Sequence, residues 1–213
     1  MHDAKLVWIT PDAEKVIGYC ARVSNPANQN NPNVANLLRY CIKNKHWSIF
    51  EMASMCLEIK TTRAISAQLL RHSSMSFQEF SQRYAETTEI DMPLLRTQDT
   101  KDRQNSIDDL DMKDKYFYTK KVKEYFDTGL DLYKQMLSKG IARECARAVL
   151  PMNSVSTVMM SGNMRSWLHY CDLRMANGTQ WEHKQIASKA QRIFREHCPS
   201  ICEAMWPQES TES

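Results

Sequence analysis

Two stretches of the chain repeat their apolar side chains at the helical period, so each presents a stripe that needs a partner surface. One carries Val122, Tyr125, Phe126, Leu130, Tyr133 and Leu137; the other carries Ile186, Ala190, Ile193 and Phe194. Beside them stands one clear alternation, SMCLEIK at 54–60, with Met55, Leu57 and Ile59 on one side and Ser54, Cys56 and Glu58 on the other. That is the pattern of a half-buried strand. Lys5 to Ile9 reads as a second, shorter one. Long helices packed on a small sheet follow, and the predicted class is a helix-rich α+β domain. With 213 residues and 42% hydrophobic content, the chain is long enough to bury a sizeable core as a single domain over 1–213.

The remaining segments fit around that frame. Thr10-Pro11-Asp12 predicts a helix start, with Thr10 as cap and Pro11 in the first turn, and Val16, Ile17 and Cys20 as the apolar face. NPANQNNPN (25–33) is a loop, and Val34, Leu37, Leu38, Cys41 and Ile42 mark the next helix. A helix from Arg63 should bury Ile65, Leu69 and Leu70. Residues 97–115 are polar and charged, which predicts an exposed loop. Residues 141–183 read as helical, broken at Pro151 and Gly162.

Several functions are excluded or disfavoured at this stage. A net charge of +3 with no Lys/Arg-rich block is not the footprint of a nucleic-acid coating protein. Five scattered glycines leave no Rossmann fingerprint and no P-loop. No metal motif stands out; His197, Cys198 and Cys202 are interrupted by Pro199. The seven cysteines are odd in number, form no C-x-x-C pair and sit mostly at apolar positions, which argues for a reducing, cytoplasmic setting. The apolar run at Leu6–Ile9 is too short for a signal peptide or a membrane span.

What the chain offers instead is arginine beside hydroxyl and amide groups. Arg143 and Arg147 are four apart and would share a helix face. Arg147 stands among Cys145, Ala146, Ala148 and Val149, where a buried charge calls for an anionic partner. Arg165 and Arg174 sit in similar surroundings, and a guanidinium suits phosphate because it donates two parallel hydrogen bonds. Glu79 and Arg83, also four apart, fit an ion pair on a helix surface. Ser48-x-x-Glu51 fits a capping box. A lone Ser81 or His72 is more often structural than catalytic.

Taken in order, these pieces resemble one family. RHSSMSFQEFSQRY (71–84) is similar to the signature of the flavin-dependent thymidylate synthases, which reads R-H-R, seven residues, S, and a closing S-x-R-Y. ARVS (21–24), H-x-S-x-x-E (46–51), Gln68 before Arg71, R-E-x-x-R (143–147), N-x-R (163–165), and LR followed by QWE (173–182) occur in family order at family-like spacings.

The resemblance implies a mostly antiparallel sheet and a homotetramer whose active sites are shared between subunits. It implies reductive methylation of dUMP to dTMP with FAD, with methylenetetrahydrofolate as carbon donor and NADPH as reductant, and without a cysteine nucleophile. Arg174 would be the catalytic residue, beside the uracil imide. Gln68, Arg71, Glu79, Phe80, Ser81, Gln82, Arg83 and Arg147 would complete the dUMP site. Ser24, His46, Ser48, Glu51, Arg71, His72, Ser73, Glu79, Asn163, Arg165 and His169 would serve the cofactor, and no metal, nucleic acid or membrane is implied.

Three positions depart from the family pattern: Ser73 replaces its second signature arginine, His169 stands where Asn is frequent, and Gly178 where a flavin-contacting His can occur. Loss of that arginine predicts FAD binding weaker by about 1–3 kcal/mol. Two alternatives stay open on the residues alone: C5 hydroxymethyl transfer to a pyrimidine nucleotide, and a nucleotide-binding protein without flavin.

Overall fold

The computed structural model describes residues 1–207, so the last six residues of the expected 1–213 domain lie outside the described residues. Its centre is a four-stranded sheet in the order β1–β2–β6–β3, with every neighbouring pair antiparallel. β1 is Asp3–Ile9, β2 Ser54–Thr62, β3 Ser76–Glu79 and β6 Val155–Asn163. A two-stranded hairpin, β4 (Thr97–Gln98) and β5 (Ser106–Ile107), stands apart from it.

The alternation in β2 is realised: Met55, Leu57 and Ile59 are buried among the core residues. They face Gly162, Met160 and Val158 of β6 in register. On the other side, β1 pairs Ala4 with Ile59 and Leu6 with Leu57, then shifts register so that Ile9 meets Met55. That bulge keeps Ala4, Leu6 and Ile9 on the core face, because one extra residue reverses the two-residue side-chain period. A Cβ at Gly162 would lie 2.2 Å from Met75 Sδ, so the glycine lets β6 run against the segment that enters β3.

Helices cover this face. α6 (Met164–Met175) and α7 (Trp181–His197) bury Trp167, Leu168, Cys171, Ile186, Ala190 and Phe194. Trp167 also donates its indole N–H to the Met55 carbonyl at 3.0 Å. α1 (Ala13–Ala21), α2 (Ala35–Lys43) and α8 (Pro199–Met205) close the far end with Ile17, Leu38, Cys41 and Ile201. α3 (Arg63–Leu69) leaves β2 directly, its N-terminus capped by the Thr62 hydroxyl, which accepts from Ile65 N–H.

Several expectations need correction. Residues 155–163 form a strand, not part of a helix, since their buried positions alternate at Ser156, Val158 and Met160. Thr10 is no cap: its hydroxyl bonds the backbone of Ser54, and α1 starts after Asp12, which takes a left-handed conformation. Ser48 and Glu51 lie in a 3₁₀ turn, Trp47–Glu51, without a side-chain cap. Leu70 falls just past α3 and is 41% exposed.

The 97–115 segment is mostly exposed, yet ordered by its own polar groups. Asp99 accepts from Lys101 N–H, Asp102 N–H and the Asn105 amide. The segment then runs into α4 (Met112–Ser138), capped by the Asp111 carboxylate. α4 followed by α5 (Arg143–Ala146) brings the largest surprise. Of the expected stripe on α4 only Tyr133 is fully buried, and Tyr125 is 65% exposed. The 3₁₀ turn Arg147–Val149 and α5 cover part of that stripe, and the rest of it is left partly in solvent.

Candidate active site

Five polar side chains from four segments meet where α3, α6 and the first turn of α7 converge. Arg174, in the last turn of α6, donates its Nε–H to His72 Nε2 at 3.0 Å. A guanidinium always carries that proton, so His72 must accept with a lone pair and hold its own proton on Nδ1. Burial first, and then the Arg174 charge, push the His72 pKa down to about 4, which keeps the ring neutral. His72 is the side-chain partner of Arg174 among the described residues. The remaining guanidinium N–H groups are therefore available to an outside acceptor.

Behind this pair lies a second layer. Gln68 on α3 donates its amide to Gln180 Oε1 at 2.6 Å, and its carbonyl oxygen lies 3.1 Å from His183 Nδ1. Burial, then the charge of Arg174, lower the His183 pKa to about 3. The Tyr170 ring packs edge-on against His72 at 5.0 Å and tilted against His183 at 5.8 Å. Its buried hydroxyl is held well above its usual pKa, chiefly by desolvation. The ensemble is a permanent cation backed by two neutral imidazoles in a partly desolvated corner. Such an arrangement stabilises negative charge that develops beside it.

The other residues named above fall into three further groups. Glu79, at the end of β3, points to the core side, where Arg63, Ser66 and Ser156 all donate to its Oε1. Burial opposes its ionisation, but those bonds and the Arg63 charge hold its carboxyl below the usual value. This corrects the expected helix pair: Arg83 instead meets Glu144 at 3.0 Å. Phe80 donates its backbone N–H to the Thr157 carbonyl, Ser81 accepts from Arg83 N–H, and Gln82 donates to Thr87.

Arg83, Arg143 and Arg147 are all exposed, and Arg143 pairs with Glu86 at 3.2 Å. The burial expected of Arg147 is not found: α5 ends at Ala146, Arg147 starts a 3₁₀ turn, and Cys145 and Ala148 beside it are exposed too. In the last group Arg165 pairs with Glu51 at 2.5 Å, the Trp47 and His169 rings meet edge to face at 4.9 Å, and His46 stacks on the edge of Tyr40 at 5.9 Å. Asn163 caps α6 by accepting from Ser166 N–H. Ser24, Ser48, Arg71 and Ser73 are exposed. Apart from the bond of Arg83 N–H to the Ser81 hydroxyl, no side-chain hydrogen bond, ion pair or ring contact joins one of these four groups to another among the described residues.

Sequence reasoning missed Arg63, Ser66 and Ser156, which hold Glu79, and Tyr170 and His183, which back His72 and Gln68. It also missed a buried, two-pronged ion pair from Arg96 to Glu182, at 2.8 and 2.9 Å, with Arg96 over the Trp181 ring. The available signal was Gln180 and His183, three apart at a helix start and so on one face.

All seven cysteines are free, and burial raises the pKa of five of them, Cys198 to about 12. A thiol so placed is a poor nucleophile. Among the described residues no group of three metal-ligating side chains converges, and no helix is long and apolar enough to cross a membrane.

The fold is that of a nucleotide-modifying enzyme. A UMP/dUMP methylase from Streptomyces cacaoi, solved with 5-Br dUMP, superposes with a TM-score of 0.85 at 25% identity over 96% of this chain and 94% of that one. Residues 5–200 match the family described as "Thymidylate synthase complementing protein". The flavin-dependent thymidylate synthase of Synechocystis is 50% identical over 192 residues, 90% of this chain and 89% of that protein. A probable flavin-dependent thymidylate synthase of Paramecium bursaria Chlorella virus 1 is 48% identical over 211 residues, 95% and 98% of the two. The chain belongs to the flavin-dependent thymidylate synthase family, and it is an enzyme of that kind.

Proposed function

We propose that the chain methylates dUMP to dTMP with FAD as cofactor, methylenetetrahydrofolate as carbon donor and NADPH as reductant. The reading rests on one observation above the others: among the described residues Arg174 pairs with no carboxylate and is fixed by a neutral imidazole at 3.0 Å. Placed beside the uracil imide, it would favour the ionised ring and raise the electron density at C5, so that no thiolate is required. Gln68, Arg71 and the run Glu79 to Arg83 would shape the nucleotide pocket, with Arg147 and Arg83 on the phosphate.

The residues around the start of α6 have the chemistry a flavin asks for. Arg165, Arg71 and the helix N-terminus suit a diphosphate, and the flat faces of Trp47, His169 and His46 suit a ring system. Ser24, Ser48, Glu51, His72, Ser73 and Asn163 would complete that surface. The bound flavin supplies the reducing equivalents; the chain binds, orients and charges the pyrimidine.

Arg83, Arg143 and Arg147 stand exposed, and α4 leaves Tyr116, Phe117, Tyr118, Tyr125 and Leu132 exposed as well. Both features support a homotetramer, in which neighbouring subunits complete each site, working as a single-domain cytoplasmic enzyme.

Tritium release from C5-labelled dUMP, with FAD, NADPH and methylenetetrahydrofolate in excess, tests the reading. Release together with dTMP by mass analysis is expected. No release at saturating FAD would overturn it.

A further inference from the structure

His183 belongs to none of the motifs above, yet it is completely buried within the first turn of α7. The positions that continue its face along the helix, Ile186, Ala187 and Ala190, are buried and apolar. An apolar side chain at 183 would extend that face without the cost of burying an imidazole, one of whose nitrogens, Nε2, finds no partner among the described residues. The imidazole is there for its other nitrogen. Nδ1 lies 3.1 Å from Gln68 Oε1, an amide oxygen that can only accept. The amide nitrogen of Gln68 is already committed to Gln180, so the orientation of the amide is consistent. His183 thus donates.

Its ring also forms one wall for His72, at 6.1 Å and nearly perpendicular, and Tyr170 forms another. Among the described residues the His72 ring is held by these walls and the bond from Arg174. We propose that His183 is a positioning residue: by donating to Gln68 and walling His72, it fixes the direction of the Arg174 guanidinium. The inference concerns the geometry of the free protein; its consequence for turnover rests on the dUMP reading above. Neutrality supports it, because a charged ring at 183 or 72 would repel Arg174 rather than seat it.

Two variants separate the hydrogen bond from the volume. His183→Phe keeps a flat ring against His72 and Tyr170 but removes the donor. His183→Asn gives up the ring volume but retains a donor at the place of Nδ1. The flavin-loaded protein, labelled with ¹⁵N-histidine, reports the tautomer and hydrogen bonding of His72 by NMR, and steady-state tritium release reports kcat and KM.

In the phenylalanine variant we expect the His72 Nε2 resonance to move and kcat to fall by about tenfold or more, as misplacement of a catalytic group commonly does. The asparagine variant should recover most of both. An unmoved His72 resonance in the phenylalanine variant would overturn the proposal. So would an asparagine variant as impaired as phenylalanine, since a donor retained at 183 would then not restore His72. Should the phenylalanine variant fail to fold, the asparagine variant decides by itself: wild-type kcat and resonances support the bond, and their loss refutes it. If wild-type protein releases no tritium, the dUMP reading fails, while the His72 resonances still decide the placement of Arg174.

Discussion

Arg174 is half-buried and bonded to a neutral imidazole, whereas Arg147 lies in solvent at the start of a 3₁₀ turn, two residues from exposed Cys145. Both are arginines in apolar stretches of sequence, and both match family positions. The difference teaches what a single chain can complete by itself. Around Arg174, α3, α6 and α7 supply acceptor, walls and desolvation, so the cation is preorganised before any ligand arrives. Among the described residues, Arg83 and Arg143 pair with Glu144 and Glu86, both exposed, and Arg147 has no ion pair. Exposed pairs of that kind contribute at most about 1 kcal/mol. This second region is an exposed surface, which the proposed function sets against the phosphate of dUMP.

The contrast is most directly broken at Arg174. Replacing it by Ala should lower tritium release about 10²–10³-fold, the range for loss of one preorganised charge-stabilising donor. The melting temperature should stay close to wild type, because the guanidinium has His72 as its side-chain partner. Substantial residual turnover would remove Arg174 from the chemistry. Arg147→Ala should act on binding instead, weakening dUMP by about tenfold to a hundredfold, equivalent to a charge-assisted bond. Isothermal titration checks this, and an unchanged Kd with normal turnover would show that Arg147 does not touch the phosphate.

Glu79 sharpens the comparison from the buried side. Glu79→Gln weakens its bonds to Arg63, Ser66 and Ser156 and should cost about 1–3 kcal/mol of stability. A drop in melting temperature of about 2–4 °C per kcal/mol is the observable. No drop would mean the cluster is not structural.

Acid should act on the same interior. The unfolded chain takes up protons on His72 and His183 below the ordinary value of 6.5, while the folded chain resists until about 4 and about 3. Stability therefore falls as pH drops through that window. Glu79 adds in the same direction, because its depressed pKa stabilises the fold above the unfolded value and loses that contribution as pH falls through the folded one. A melting temperature flat between pH 7 and 4 would contradict the contribution of the two histidines; the Glu79 contribution is lost only at lower pH. The smallest effect is expected at Ser73→Arg: position 73 is exposed, so the restored cation should tighten FAD by about fivefold, the low end of the about 1–3 kcal/mol expected from the sequence. Unchanged affinity would mean another residue already supplies that charge.

What could be read beforehand follows from the range of each interaction. β2, α2 and α7 were legible because their side chains alternate or repeat over several residues, and burial of Met55, Leu57, Ile59, Ile186 and Phe194 answers to that local period. β6 was not, since VSTVMMSGN follows the break at Pro151, contains Gly162, and becomes a strand because β2 and β3 flank it in register. Ser48 and Glu51 matched a capping pattern that the 3₁₀ turn does not use; the carboxylate goes 114 positions along the chain to Arg165.

By itself, then, the sequence determined the helix-rich class, the central strand and the ordered residues that place the chain in its family. Those are properties of local period and of spacing along the chain. Only the tertiary structure decided which arginine is buried and which is bare, which carboxylate holds which cation, and that two histidines stay neutral behind Arg174. Each of these depends on desolvation and on partners from distant segments, with Gln68 and His183 separated by 115 positions and brought within hydrogen-bonding distance where the end of α3 meets the start of α7.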